Sequence, residues 1–263
     1  MVDLVLVNPN NRNSSPFSAV EPPLWLLLIA GYNLEQGKSI AIIDAEAEGL
    51  SVEQTVKRVE ELRPLQTLIV VMGANPSVSS TPKMPVTEEL LLNLPDAKVT
   101  GIHPIALNHH KCITTPFKGF PSIPWYYLPM EKYRAHNWHC LSDIDQRSPY
   151  GVLYTSLNCP MNCWFCNIHT LYGDNKMRYR SLSDIFLDLA YFSDKGIRNI
   201  KIWDELFCLD RSRVEAICDH IILRGYDFNI WAYARVDTIT QAMLHKLKKA
   251  GVNWLAYGFE SSS

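Results

Sequence analysis

Cys159-Pro160-Met161-Asn162-Cys163-Trp164-Phe165-Cys166 puts three cysteines into eight residues with the spacing C-x3-C-x2-C. The apolar run just before it, Gly151-Val152-Leu153-Tyr154-Thr155-Ser156-Leu157, predicts a short buried strand. The cysteines then fall on the loop leaving that strand's carboxyl end, where α/β folds collect their ligands. Three thiolates supply three corners of a metal centre, and several chemistries fit. A tetrahedral zinc needs a fourth ligand, and His169 is the nearest candidate, completing C-x3-C-x2-C-x2-H. A cubane iron–sulfur cluster held by three cysteines keeps one iron open to a substrate or cofactor. Three unligated core cysteines complete the alternatives.

Downstream of the loop the pattern repeats. Ser181 caps a predicted helix from Leu182 to Lys195 that Gly196 ends, and Asn199-Ile200-Lys201-Ile202-Trp203 is a strand with Asp204-Glu205 at its carboxyl end. Asp210 caps a helix running to Arg224, and the strand Phe228 to Tyr233 ends at Ala234-Arg235. Thr240 to Ala250 is a helix, and Trp254 to Gly258 a strand ending at Phe259-Glu260. Four strand–helix repeats from Gly151 onward predict a partial (β/α) barrel. Its successive strand ends share one mouth, bringing Asp204, Glu205, Arg235 and Glu260 to the cysteine loop.

Upstream, Val2–Val7, Ser39–Asp44, Thr67–Gly73 and Lys98–Gly101 read as strands, with helices from Leu24 to Gln36 and from Ser51 to Leu62. Ser51 and Gln54 form a capping box. This alternation predicts a doubly wound parallel sheet. No G-x-G-x-x-G follows the first strand, so a dinucleotide site of the usual kind is unsupported. From Asn108 to Pro149 the sequence reads as linker, with Pro116, Pro121, Pro124 and Pro129 inside fourteen residues. Two trios there, His109/His110/Cys112 and His136/His139/Cys140, have metal-ligand composition but no partner pair, and read as packing residues. The domain plan is 1–107, linker 108–149, and 150–263.

The cysteine motif, with an aromatic residue just before its last cysteine, resembles the signature of the radical S-adenosylmethionine (radical SAM) superfamily. The resemblance implies that Cys159, Cys163 and Cys166 hold a 4Fe–4S cluster whose fourth iron chelates S-adenosylmethionine (SAM). Reductive cleavage of SAM then yields a 5′-deoxyadenosyl radical. It implies further that Phe165 flanks the adenine, that Asp204 and Glu205 receive the SAM amino group, that Arg235 lies near the carboxylate, and that Glu260 meets the ribose. Asn8-Pro9, Pro22-Pro23-Leu24, Asp44-Ala45-Glu46-Ala47 and the loop Gly73 to Pro82 resemble the cobalamin-binding domain that precedes the barrel in one subgroup. Asn8, Asn10, Asp44, Ser77 and Ser79 are the implied cobalamin contacts.

Two departures from that subgroup are visible. No D-x-H-x-x-G supplies a histidine to cobalt, and after Val99 the chain runs through His103 to Leu107 straight to the linker, without the subgroup's last strand and G-E-G-E segment. The expected N-terminal sheet is thus shortened, and weak cobalamin binding is predicted. The chain also stops after four of the family's six barrel strands, which reads as a truncated gene product or fragment. The resemblance implies a small-molecule substrate, methyl transfer or rearrangement as the outcome, and an electron donor such as flavodoxin or ferredoxin. A non-catalytic Fe–S or zinc remnant of such an enzyme is the alternative. No catalytic side chain is assigned.

Bulk properties bound these readings. With 263 residues, 47% hydrophobic and 20% charged, the chain has the composition of a soluble globular protein of two domains. A formal net charge of -2 gives no electrostatic reason to expect nucleic acid or an anionic membrane. Seven cysteines, three of them clustered, argue for reduced thiols and a cytoplasmic location. The apolar stretch Leu24 to Ala30 is too short to span a bilayer, and Val2 to Val7 too short for a secretory signal.

Overall fold

A computed structural model describes residues 2–12, 15–72, 83–113, 119–141 and 143–258. The chain divides into two compact units, Met1–Lys132 and Tyr133–Ser263.

The first unit is a parallel sheet whose strands β1 (Leu4–Asn8), β2 (Ile40–Asp44), β3 (Gln66–Met72) and β4 (Lys98–Ile102) lie in the order β2-β1-β3-β4. Their near-continuous apolar runs suit strands covered on both faces, and Val5, Leu6 and Val7 are wholly buried. Helix α1 (Leu24–Glu35) is buried on every side from Leu24 to Gly31, an apolar stretch. The segment at Pro121-Ser122 crosses so close that a Cβ on Gly31 would fall 1.8 Å from the Ser122 carbonyl oxygen. The Ser122 N–H also donates to Glu35 Oε1 at 2.9 Å. The short α2 (Ala45–Glu48) follows β2 directly, and α3 (Val52–Leu62) carries the expected capping box between Ser51 and Gln54. Helix α4 (Met84–Asn93), absent from the sequence reading, starts with a proline in its first turn, and α5 (Pro104–Leu107) follows β4.

The stretch after α5 corrects one expectation. Val99 donates to the Lys111 carbonyl at 3.1 Å, and Ile113 donates back to Val99 at 2.8 Å, in a parallel bridge between Val99 and Cys112. Residues 111–113 therefore lie along the outer edge of β4 as a rudimentary fifth strand, where the sequence reading had only linker. The proline-rich context hid it, because a single bridge leaves no period-two pattern to detect.

The second unit holds a parallel sheet of β5 (Tyr150–Leu153), β8 (Asn199–Ile202), β9 (Asn229–Ala234) and β10 (Val252–Tyr257), in chain order. Between β5 and β8 lie β6 (Ser156–Leu157), α6 (Ile168–Tyr172), β7 (Arg178–Tyr179) and α7 (Leu182–Asp194). Helices α8 (Arg211–Arg224) and α9 (Gln241–Lys249) make the next two crossovers. Ser181 and Asp210 cap α7 and α8 as their spacing predicts, and Thr240, read as the first helical residue, caps α9. Among the described residues no helix is long and apolar enough to cross a membrane.

At the amino ends of these strands the side chains of Asn199, Asn229 and Asn253 form a hydrogen-bonded row. His139, from a 3-10 turn at Asn137–Cys140, closes it: its Nε2–H donates to the Asn229 carbonyl, and Asn229 Nδ2 donates to the His139 carbonyl, both at 2.8 Å. His139 is 2% exposed, and burial pushes its imidazole down to about 4 despite the opposing hydrogen bond. The unfolded chain takes up this proton below about pH 6.5 and the folded unit does not, so the neutral ring's contribution is present above that pH. Stability is expected to fall by about 3 kcal/mol as pH drops from 6.5 toward 4. Urea titrations across that range should show the slope, and His139→Gln should flatten it.

Candidate functional site

The expected continuous strand from Gly151 to Leu157 is broken. β5 stops at Leu153, whose carbonyl accepts from the Trp203 N–H at 2.8 Å. The chain then turns, and β6 pairs antiparallel with β7, Ser156 opposite Tyr179 and Leu157 opposite Arg178. The cause is Asp204. Its fully buried carboxylate accepts from the Thr155 N–H at 2.6 Å, the Thr155 hydroxyl at 2.5 Å and the Ser156 hydroxyl at 2.6 Å. Burial raises its carboxyl above the usual range, against these bonds, which favour the anion. Asp204 was expected to receive the amino group of a ligand. Its oxygens are instead enclosed and occupied, and it stitches the end of β8 to the turn after β5.

The cysteine loop hangs from the β6–β7 stem. Cys159, Cys163 and Cys166 are free thiols, each half-buried, and the Cys166 N–H donates to the Cys163 carbonyl at 3.0 Å in a tight turn. Burial raises the Cys159 thiol, with Cys163, Cys166 and Glu205 adding to the effect. Arg235, at the end of β9, points Nη1 at Cys163 Sγ, 3.5 Å away, while Asp237 holds the same guanidinium through Nε at 2.9 Å and Nη2 at 2.7 Å. The structure thus brings the three cysteines, Glu205 and Arg235 into one neighbourhood. Glu205 is half-buried beside the enclosed hydroxyls of Tyr154 and Tyr172. Burial raises both phenols far above their usual range, and the negative charge of Glu205 adds to the rise of each. Neither tyrosine carried a sequence signal, since an aromatic residue at a strand end or in a five-residue helix reads as core.

Phe165 is 49% exposed and meets Trp164, which is 94% exposed, edge to face at 5.7 Å between ring centroids. His169, the candidate fourth zinc ligand, uses Nε2 on the Cys159 carbonyl at 2.7 Å, which removes that nitrogen from metal binding. Among the described residues no three His, Cys, Asp or Glu side chains converge closely enough to hold one metal ion. A cubane makes a different demand, because each cysteine ligates its own iron and the thiolates surround the cluster rather than meet at a point. A half-buried loop carrying three free thiols fits that demand. Cys208 and Cys218 do not: burial pushes their thiols up to about 12, as expected of small buried hydrophobes. Glu260 lies outside the described residues.

In the first unit, Asn8 and Asp44 sit at the ends of β1 and β2, beside the point where strand order reverses. Both are 1% exposed, and Asn8 Nδ2 donates to Asp44 Oδ1 at 2.7 Å. The buried Lys83 ammonium donates to Asn8 Oδ1 at 2.7 Å and to Glu46 Oε2 at 2.6 Å, while Asp44 also caps Ala47. These two implied cobalamin contacts are therefore enclosed in an internal network built by Lys83, which the sequence reading did not single out. Asn10 bonds the Leu50 carbonyl and the Arg12 N–H. Ser77 and Ser79 lie outside the described residues. The histidine trios have local roles: His109 Nε2 meets Glu88 Oε1 at 3.1 Å, and His136 Nδ1 accepts from the Trp138 N–H at 3.2 Å.

This geometry separates the two neighbouring acids. Asp204→Ala leaves a backbone N–H and two hydroxyls without their buried acceptor and is expected to cost about 3–5 kcal/mol in urea unfolding. Glu205→Gln, at a half-buried position, is expected to change stability by less than about 1 kcal/mol. Comparable losses in both variants would contradict the assignment.

No protein-family profile matches the chain. An uncharacterized methyltransferase of Pyrococcus horikoshii is 32% identical over 143 residues, which is 54% of this chain and 29% of that protein. Among solved structures, the radical SAM methyltransferase TsrM from Kitasatospora setae, with tryptophan substrate and a SAM analogue bound, superposes with a TM-score of 0.67 at 14% identity, covering 98% of this chain and 59% of TsrM. The cobalamin-dependent SAM radical enzyme OxsB, with aqua-cobalamin and SAM bound, superposes with a TM-score of 0.70 at 16% identity, covering 100% of this chain and 44% of OxsB. The chain spans less than two thirds of the length of each of these proteins. Its two units have an α/β fold with parallel sheets similar to these enzymes.

Proposed function

We propose that this chain carries the cluster and SAM site of a radical SAM iron–sulfur enzyme, acting on a small-molecule substrate by methyl transfer or rearrangement. The observation that carries the reading is the meeting of the C-x3-C-x2-C loop with Glu205 and Arg235 at the carboxyl ends of parallel strands. The sequence match to a methyltransferase and the shared fold support it. A 4Fe–4S cluster held by Cys159, Cys163 and Cys166 supplies, when bound, an electron for reductive cleavage of SAM at an open iron. The protein groups have separable tasks. Glu205 offers a carboxylate to the ammonium of SAM. Arg235, oriented by Asp237, directs an N–H toward Cys163 Sγ, and hydrogen bonds to ligand sulfurs stabilise the reduced state. The exposed faces of Trp164 and Phe165 offer apolar surface beside the loop. The β5-β8-β9-β10 sheet is read as part of a (β/α) barrel, and its electron donor as a flavodoxin or ferredoxin in a reducing cytoplasm.

Anaerobic reconstitution with iron and sulfide, followed by reduction with SAM present, tests this. Near-stoichiometric cluster and formation of 5′-deoxyadenosine are expected. Cys163→Ala should lose the cluster, while Cys208→Ala and Cys218→Ala should keep it. Stoichiometric zinc without a cluster would instead favour a non-catalytic metal-binding protein.

The first unit is read as a cobalamin-binding fold with weak affinity. Asn8 and Asp44 are occupied by the Lys83 network, and no D-x-H-x-x-G offers an imidazole to cobalt. Equilibrium dialysis with hydroxocobalamin is expected to give a Kd weaker than about 1 µM, which corresponds to less than about 8 kcal/mol of binding free energy. Tighter binding would show that backbone and loop contacts suffice.

A further inference from the structure

We propose that Asn158 is a positioning residue that presets the cysteine loop for cluster capture; this rests on the cluster reading above. Asn158 precedes Cys159, is 0% exposed, and holds φ at 75°. That left-handed conformation strains residues with a Cβ, and asparagine tolerates it better than most because its amide bonds the local backbone. Here the amide is fully used. Nδ2 donates to the Asp174 carbonyl at 2.7 Å, to Asp174 Oδ1 at 2.9 Å and to the Lys176 carbonyl at 3.3 Å. Oδ1 accepts from the Cys159 N–H at 2.8 Å. Asp174 is itself fixed, by Arg178 Nη2 at 2.6 Å and the Lys176 N–H at 3.0 Å.

These bonds close the neck of the loop. All three cysteines lie between Asn158 and Asp174, above the β6–β7 stem. The Asn158 amide ties the two sides together and orients the first cysteine's peptide. Inside the loop, His169 pins the Cys159 carbonyl at 2.7 Å, so both peptide groups flanking Cys159 are held by side chains. A loop ordered beforehand loses less chain entropy when its thiolates take up iron, and holds them against release. The residue acts on the thiolates through the backbone and does not touch the cluster itself.

The test uses the full chain and two variants. Asn158→Gly permits the same φ without the four bonds. Asn158→Asp keeps an acceptor for the Cys159 N–H but turns a carboxylate toward Asp174. Hydrogen exchange in cluster-free protein should quicken about tenfold or more in peptides covering 158–176 for Asn158→Gly, with peptides of β8 and β9 unchanged. After anaerobic loading, iron release to a chelator should also quicken about tenfold, with Asn158→Asp affected at least as much. A purely structural role would shift melting temperature and exchange across the whole unit and leave release from folded protein unmoved. Unchanged exchange in 158–176 overturns the proposal, and so does faster exchange with unchanged iron release. A wild-type chain that takes up no cluster overturns the cluster reading instead, and the exchange experiment then decides alone whether Asn158 orders the loop.

Discussion

Burying the Asp204 carboxylate at the end of β8 requires donors around it, and the nearest backbone able to supply them is the turn after Leu153. Thr155 and Ser156 answer with one N–H and two hydroxyls. Meeting that demand bends the chain out of the parallel sheet, so that the following residues pair antiparallel with β7. The cysteine loop therefore leaves from a two-stranded stem whose direction is set by a charge that never meets solvent. Arg235, Glu205 and the thiols are brought together on top of this arrangement, each by the end of a different element.

The first unit solves a related problem with the opposite charge. Lys83, just before α4, is 5% exposed and needs acceptors, which Asn8 and Glu46 provide. Because Asn8 also donates to Asp44, one ammonium links the ends of β1 and β2 to the start of α4. The ion pair with Glu46 is nearly dry, so removing either partner would leave an uncompensated buried charge. Both sheets thus have strand ends tied by enclosed polar groups. Three residues that look like ligand contacts in a linear reading, Asn8, Asp44 and Asp204, are used in the tying.

Much of the site was legible in the residues themselves. The C-x3-C-x2-C spacing, the strand periods and the helix caps at Ser51, Ser181 and Asp210 are local signals, each set by neighbours within a few positions. Asp204 and Glu205 illustrate the limit. They are adjacent acids at one strand end, and no sequence rule says which is enclosed. The tertiary fold decides it, by bringing Thr155 and Ser156 to the Asp204 carboxylate and leaving Glu205 half-buried near Cys159. Asn158, His169 and His139 were ambiguous for the same reason, since their partners lie ten to ninety residues away.

Sequence alone determined the alternation of the main strands and helices, the parallel α/β character and the presence of a three-cysteine loop after a strand, because these follow from hydrophobic period, turn chemistry and short-range spacing. Tertiary structure alone decided the rest. It broke the strand before the loop, added residues 111–113 to the first sheet, enclosed Asn8, Asp44 and Asp204, and aimed Arg235 at Cys163. The physical reason is that desolvation is a property of three-dimensional surroundings. Whether a polar group serves a ligand or the fold depends on which donors and acceptors the other elements bring to it.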